Sequence, residues 1–352
     1  MLRVAICILG FLFGLCGWGF PVVPLVTEPG VPTYLTYVPS LIKSAQEEVL
    51  VALSDLRLYQ EGSTTPLLEA LGDAAKRGVK VRVLFERRGA DQPAPEQLAA
   101  FNFLAQEGVE TRWDDPEVTL HAKFLVVDRD ILVVGSTHWT YSALVNSVQV
   151  DLALASPELA ALAAEFFELL WAGNLNPQPV LPDPPWPKYG VLPLLELPEA
   201  GLHTGVIPVL IARAQKSADL LLYRFAYYPQ YTDSPSNTLV KSLIEAVRRG
   251  VRVRVLLEGG EDFPDLAEAN RLVSTYLVLN GVQVRFDAPG STMHAKCLIV
   301  DDRDLLVSSA NWSYYSLAKN VEAGVALLDT QALAAPLASA FESLWDSAFP
   351  VP

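Results

Sequence analysis

The chain has 352 residues, 51% of them hydrophobic and 19% charged, with 26 Lys and Arg against 40 Asp and Glu for a net charge of −14. That length suits one large domain or two of ordinary size, and the composition excludes a disordered or fibrous chain. The acidic balance argues against a protein that coats nucleic acid, while leaving room for a local basic pocket. Cys7, Cys16 and Cys297 are the only cysteines and form no Cys-x-x-Cys pair, so neither a zinc site nor a disulfide framework is expected.

Arg3 precedes an apolar run over residues 4–13, followed by Gly14, Gly17, Gly19 and Pro21, and residues 4–27 carry no charge. The pattern predicts a secretory signal over residues 1–27, or an uncleaved N-terminal anchor, and hence an exported protein, secreted or periplasmic. Removal of that segment leaves Cys297 as the sole cysteine, so the exported part must rely on its core.

The chain then repeats itself. Lys76-Arg77-Gly78-Val79-Lys80-Val81-Arg82-Val83-Leu84 returns 172 residues later as Arg248-Arg249-Gly250-Val251-Arg252-Val253-Arg254-Val255-Leu256. Leu120-His121-Ala122-Lys123 returns after 173 residues as Met293-His294-Ala295-Lys296. A proline-rich stretch over residues 177–200 separates the copies and reads as a semi-rigid linker. The first half is placed at residues 30–176 and the second at 201–352.

Each half has an α/β pattern. Residues 49–53 and 220–224 are apolar runs of strand length. Thr65-Pro66 opens a helical pattern with Leu67, Leu68, Leu71 and Ala75 on one face, and Gly78 ends it. Residues 79–84 alternate apolar and basic with period two, a strand whose Lys80 and Arg82, like Arg252 and Arg254 in the second copy, are expected on a solvated face. The expected fold is therefore α/β: two homologous halves, each a sheet flanked by helices. Key residues that occur once per copy point to a shared interface with pseudo-twofold symmetry, an internal pseudo-dimer within a monomer.

Two of the four histidines sit in the identical His-Ala-Lys triplets. In a strand, residues i and i+2 share a face, so His121 is expected beside Lys123 and His294 beside Lys296. Four apolar residues and an Asp follow in each copy, Asp128 and Asp301, at the start of tight turns. A second strand then delivers Gly135-Ser136-Thr137-His138-Trp139 in one half and Ser308-Ser309-Ala310-Asn311-Trp312 in the other. Lysine is a compact cation suited to a phosphate oxygen, and histidine serves as nucleophile or as acid and base near neutral pH. Two such sets brought together place two Lys around one phosphate and a His on each side, the geometry of in-line displacement, with no metal required. One His-x-Lys alone is commonly just an exposed pair; two copies in register carry far more weight.

These residues resemble the phospholipase D superfamily: His-x-Lys-x-x-x-x-Asp twice in one chain, followed by Gly/Ser-Ser-x-Asn-Trp. The resemblance extends over nearly the whole chain after the N-terminal segment. It implies two α/β halves with the active site between them and phosphodiester cleavage or exchange through a covalent phosphohistidine, generally without a metal or other cofactor. It also implies that His121 and His294 are nucleophile and acid, that Lys123 and Lys296 bind phosphate, and that Asp128 and Asp301 support the motif. Ser309 and Asn311, with Ser136 in the first half, resemble phosphate ligands, and Glu322 stands where the family places a carboxylate that orients the histidine. The first half departs from the pattern, with His138 opposite Asn311 and Gln149 opposite Glu322.

A carboxylate raises the pKa of a neighbouring imidazole more than an amide does. The expectation is that His294, backed by Glu322, starts protonated as the acid, and that His121, backed by Gln149, attacks. His138 is expected either to donate to phosphate or simply to pack, and His203 to take no part in catalysis. Tyr223, Tyr227, Tyr228 and Tyr231 follow the first strand of the second half and suit either ordinary packing or an apolar rim for a lipid.

The leading expectation is a hydrolase that cleaves a phospholipid head group and makes contact with a membrane surface. The alternatives are an exported endonuclease, disfavoured by the negative charge, a phosphatidyltransferase of the cardiolipin synthase kind, disfavoured by the lack of a pair of N-terminal spans, and a non-catalytic binding module, disfavoured by the intact His and Lys of both halves.

Overall fold

The two repeats fold into two mixed β-sheets of matching strand order, each with a parallel strand–helix–strand centre and an antiparallel wing. The computed structural model describes residues 14–15, 20–87, 92–175, 190–260 and 263–351. In the first sheet Glu48–Leu53, Lys80–Phe85 and Glu110–Trp113 run parallel, joined through the helices Thr65–Lys76 and Pro95–Gln106. Lys123–Val127, Ile131–Gly135, Ser147–Leu154 and Pro21–Thr27 follow as antiparallel neighbours on the other side of Glu48–Leu53. In the second sheet Ser217–Leu222, Arg252–Leu257 and Gln283–Phe286 are parallel, and Lys296–Val300, Asp304–Ser308, Glu322–Leu327 and Val191–Glu196 form the wing.

Local chemistry accounts for the elements. The helix Thr65–Lys76 has Pro66 in its first turn and buries Leu67, Leu68, Leu71 and Ala74. Gly78 follows at φ 91°, a left-handed position that ends the helix without a Cβ penalty. The Thr64 hydroxyl does not cap it but donates to the Arg57 carbonyl at 2.6 Å.

Four boundaries and environments differ from expectation. Pro21–Thr27 is a strand paired with Ser147–Leu154, with Val22 and Leu25 buried, so a leader drawn through residue 27 would remove part of the first sheet. The apolar run of residues 4–13 lies outside the described residues, as does most of the proline-rich stretch, residues 176–189. The remainder of that stretch is not all linker: Val191–Glu196 is the edge strand of the second sheet, where Pro193 is tolerated because one side of the backbone has no ladder partner. Each half thus begins one strand earlier than residues 30 and 201. Finally, Arg82 and Arg254 are buried, not solvated, although Lys80 and Arg252 are exposed. Arg254 forms paired bonds to Asp219 and Glu342 and stacks 4.7 Å from the Phe341 ring; Arg82 bonds Glu168 and lies 5.3 Å from the Phe167 ring. A planar, weakly hydrated guanidinium can be buried when its donors meet carboxylates and its face meets an aromatic ring.

The inner faces of the two sheets share one apolar cluster. Leu50, Phe124 and Val150 of the first half meet Leu221, Cys297, Ile299 and Val325 of the second, and Phe167 and Phe341 cap it from the helices Pro157–Trp171 and Gln331–Ser347. The halves are therefore one packed body, and the polar residues between them are held from both sides. Burial pushes the Cys297 thiol up to about 12, which leaves it inert. Among the described residues no helix is long and apolar enough to cross a membrane.

Candidate active site

The histidines do not lie on the strands expected for them; they precede the strands Lys123–Val127 and Lys296–Val300 and are fixed by the opposite half. Leu120 bridges Val321, and the His121 N–H donates to the Val321 carbonyl at 2.9 Å. Reciprocally, Thr292–Met293 pairs with Ser147 and Val148, and the His294 N–H donates to the Val148 carbonyl at 2.9 Å. The residue after each accepting carbonyl, Glu322 or Gln149, therefore belongs to the opposing histidine. His121 Nδ1 lies 2.9 Å from both Glu322 carboxylate oxygens, and His294 Nδ1 lies 3.1 Å from Gln149 Oε1. This reverses the expected pairing. The sequence argument assigned each partner within its own repeat, whereas the halves exchange them across the interface.

The other site residues gather here. Lys123 Nζ donates to the His121 carbonyl and Lys296 Nζ to the His294 carbonyl, so each lysine sits beside its own histidine as expected. Ser136 donates to Gln149 and Ser309 to Glu322, which braces both orienting side chains. His138 stands between the two paired histidines, its ring 6.1 Å from His121 and 4.9 Å from His294, with Nδ1 bonded to the Ser54 hydroxyl at 2.9 Å. The equivalent bridges Leu56–Trp139 and Phe225–Trp312 match Ser54 with Tyr223 and His138 with Asn311. Small Ser54 bonded to large His138 in the first half thus corresponds to large Tyr223 and smaller Asn311 at the equivalent positions of the second. The Tyr223 ring lies 4.6 Å from His294 and 5.1 Å from Lys296 Nζ. Asn311 Oδ1 is buried without a hydrogen-bond partner among the described residues. Of the remaining tyrosines, Tyr227 stacks on Tyr276 at 4.2 Å and Tyr231 is exposed.

Asp128 and Asp301 are not at the site. Each begins the turn at the far end of its strand, with φ near 52–53°, and accepts three backbone N–H groups from the start of a central strand. For Asp128 the donors are Gln46, Glu47 and Glu48; for Asp301 they are Gln215, Lys216 and Ser217. Burial opposes ionisation of Asp301, but these three donors hold its pKa below the usual value. Both aspartates are anchors of the strand end, which fits a supporting role and not a reacting one.

Two further carboxyl pairs, absent from the sequence argument, hold the backbone just before each histidine. Glu86 accepts the Leu120 N–H, and Glu258 accepts the Met293 N–H at 2.7 Å. Burial and the neighbouring Glu86 push Asp114 up to about 9; burial and Glu258 push Asp287 up to about 7. Their signal was present, since Glu86 and Glu258 recur at the 172-residue offset and Asp114 and Asp287 at 173.

Charge is finely divided in the chamber. Burial disfavours the Glu322 carboxylate, but His121, Lys123 and the Ser309 hydroxyl outweigh that and hold it down at about 2. Burial lowers His121 to about 4 even though Glu322 pulls the other way, and burial with both lysines lowers His294 well below the usual imidazole value. Burial and Lys123 likewise push Lys296 down. Burial and the two lysines thus disfavour further positive charge in the chamber, and an anion such as a phosphodiester would relieve that. Among the described residues no cluster of His, Cys, Asp and Glu is arranged to hold a metal ion.

Two pseudo-symmetric His-Lys sets meeting across a pair of mixed sheets define the class: a bilobal α/β protein with a buried histidine pair between its halves. Residues 38–171 and 207–345 match the family described as "Cardiolipin synthase, PLD-like domain", and the chain belongs to that phospholipase D-like family. It is 27% identical over 325 residues to cardiolipin synthase B of Escherichia coli strain K12, covering 83% of this chain and 74% of that protein. It is 30% identical over 143 residues to the mitochondrial cardiolipin hydrolase of Mus musculus, covering 40% of this chain and 63% of the relative. Its fold matches the phosphatidylserine synthase structure from Haemophilus influenzae Rd KW20 with a TM-score of 0.72 at 16% identity, over 93% of this chain and 87% of the other.

Proposed function

We propose that this chain is a phosphatidyltransferase of the cardiolipin synthase kind, moving a phosphatidyl group from one phospholipid to a hydroxyl of another through a phosphohistidine. The crossed pairing of His121 with Glu322 and of His294 with Gln149, in one chamber with both lysines, carries this reading. A carboxylate on the Nδ1–H of His121 fixes the tautomer that presents Nε2 as nucleophile and offsets the positive charge that forms with the P–N bond. His121 therefore attacks phosphorus, for a reason opposite to the one the sequence suggested. The bound phosphodiester anion counters the lysines and restores the proton affinity of His294. His294 then protonates the departing alcohol, and in the second step takes the proton of the incoming hydroxyl as the P–N bond breaks. Lys123, Lys296, Asn311 and His138 hold the phosphate oxygens, while Ser136 and Ser309 brace the side chains that orient the two histidines.

Transfer is favoured over hydrolysis by the extent of the likeness: both halves align with a cardiolipin synthase, whereas the hydrolase relative aligns with 40% of the chain. Hydrolysis remains the second reading, because water and an alcohol attack the same intermediate. Phospholipid substrates imply work at a membrane surface, and an N-terminal segment ending before Pro21 would serve export or anchoring.

The test is incubation with phosphatidylglycerol vesicles in EDTA, with His121→Ala and His294→Ala as controls. Cardiolipin and free glycerol from the wild type alone support transfer. Phosphatidate without cardiolipin moves the chain to the hydrolases, and no lipid product removes both readings.

A further inference from the structure

We propose that His203 is a positioning residue for the loop Ser309-Ala310-Asn311, acting through Ser308; the proposal rests on the reading that this loop holds substrate phosphate. His203 lies in the helix Leu202–Arg213, outside the chamber, and is fully buried. Its Nδ1 bonds the Glu196 carboxylate, which also accepts the His203 backbone N–H at 3.1 Å. Its Nε2 lies 2.7 Å from the Ser308 hydroxyl. The Ser308 oxygen in turn accepts the Ala310 N–H at 2.9 Å. With Nδ1–H given to Glu196, Nε2 accepts the Ser308 proton, and the hydroxyl lone pair is turned toward Ala310. Ser309 and Asn311, which flank that amide, are two of the site residues.

The first half solves the same problem without a histidine. Asp151 accepts the Thr137 N–H at 3.1 Å and the Thr137 hydroxyl, and so fixes the loop Ser136-Thr137-His138 directly. The two solutions exclude each other sterically. A Cβ at Gly135 would lie 2.4 Å from Asp151 Oδ1, and a Cβ at Gly324 would lie 2.8 Å from Ser308 Oγ. The first half therefore has Gly135 with Asp151, and the second has Ser308 with Gly324.

The exchange has an electrostatic reason. Asp151 stands two residues from neutral Gln149 on one face of its strand, whereas position 324 stands two residues from Glu322. A second buried carboxylate there would oppose ionisation of Glu322, the partner of His121. A hydroxyl supplies the acceptor without the charge, but its proton can turn to the Ala323 carbonyl, 3.3 Å away, or to the nearer His203 Nε2 at 2.7 Å. His203 claims it. Glu196 Oε1 is buried without a hydrogen-bond partner among the described residues. Apolar side chains at both 196 and 203 would avoid that cost, so the buried polar pair is not explained by core stability.

The test uses the full chain with His203→Phe, Ser308→Ala and Glu196→Gln. Two readouts are taken: turnover of bis(4-nitrophenyl) phosphate, and amide hydrogen exchange across residues 309–311. His203→Phe and Ser308→Ala are each expected to lower kcat at least about tenfold, and the double variant to be no worse than the weaker single, because both act through one chain of bonds. Glu196→Gln keeps an oxygen for Nδ1–H and stays within about threefold of wild type. Exchange at 309–311 rises in the first two variants while the central strands stay protected. Wild-type kcat and exchange in His203→Phe overturn the proposal, as does faster exchange spread evenly over the second sheet. Should His203→Phe fail to fold, Ser308→Ala, which removes one oxygen, decides alone. Should wild type turn over no phosphodiester, the functional reading falls and the exchange measurement still decides the relay.

Discussion

His121 takes its hydrogen-bond partner from Glu322, 201 residues along the chain and in the other half, with Nδ1 2.9 Å from either carboxylate oxygen. The mirror-image bond, His294 to Gln149, has a neutral amide in the carboxylate's place. The pseudo-symmetric chamber is thereby polarised, with a carboxylate on one histidine and a neutral amide on the other.

That polarity predicts where phosphate is trapped. With bis(4-nitrophenyl) phosphate the leaving group needs no acid, so His294→Ala accumulates a phosphoenzyme on His121, detectable by intact mass and peptide mapping. Glu322→Gln lowers kcat by about 10²–10⁴, as loss of the carboxylate does in Ser-His-Asp triads. A stable adduct on His294 would reverse the assignment.

Stability falls as pH drops, and the pair sets where. Glu322 is held at about 2, below its unfolded value, so its contribution is present above the unfolded pKa and is lost as pH falls toward 2. His121 is lowered to about 4, so between its unfolded value and 4 the unfolded chain takes up the proton first, which also destabilises the fold. Denaturant melts at pH 7, 5, 4 and 3 should show a progressive loss that begins near pH 6. A flat profile from pH 7 to 4 would contradict the buried neutral imidazole.

Asp128 and Asp301 act on stability alone. Replacing either with Ala leaves three backbone donors without their carboxylate, at a cost of about 1–3 kcal/mol. For a chain of this size that lowers Tm by about 2–4 °C per kcal/mol, with kcat/KM within about threefold of wild type. A hundredfold loss of turnover at unchanged Tm would return these residues to the reaction.

Asp114 titrates in the opposite sense. Its pKa is raised to about 9, so the stability it contributes is present below the unfolded carboxylate value and is lost as pH rises through 9. Asp114→Asn keeps an oxygen for the Arg87 N–H and supplies a permanent donor to Glu86. The variant should match wild type in Tm only near the unfolded carboxylate pKa, already exceed it at pH 6 and exceed it by more at pH 9; equal Tm at all three pH values would mean that Asp114 is ionised throughout.

Much of this protein is written in local sequence. The repeat, the helix at Thr65 with Pro66, the period-two strands and the recurrence of the two His-Ala-Lys triplets all follow from short-range propensity and side-chain spacing, although the histidines themselves precede the strands that the spacing implies. Residues whose neighbours lie close in the chain were legible, Lys123 beside His121 among them. Residues whose neighbours arrive from elsewhere were not. Arg82 and Arg254 read as solvent-facing because alternation cannot reveal that helices bring Glu168 and Glu342, with Phe167 and Phe341, over that face. His203 read as idle because Ser308 meets it only when the second sheet closes. Most of all, sequence determined which residues form the chamber, but the partnership of His121 with Glu322 was decided by tertiary structure. Two short backbone bridges, at Leu120–Val321 and Met293–Val148, cross between the halves, and each delivers the following side chain, Glu322 or Gln149, to the opposite histidine.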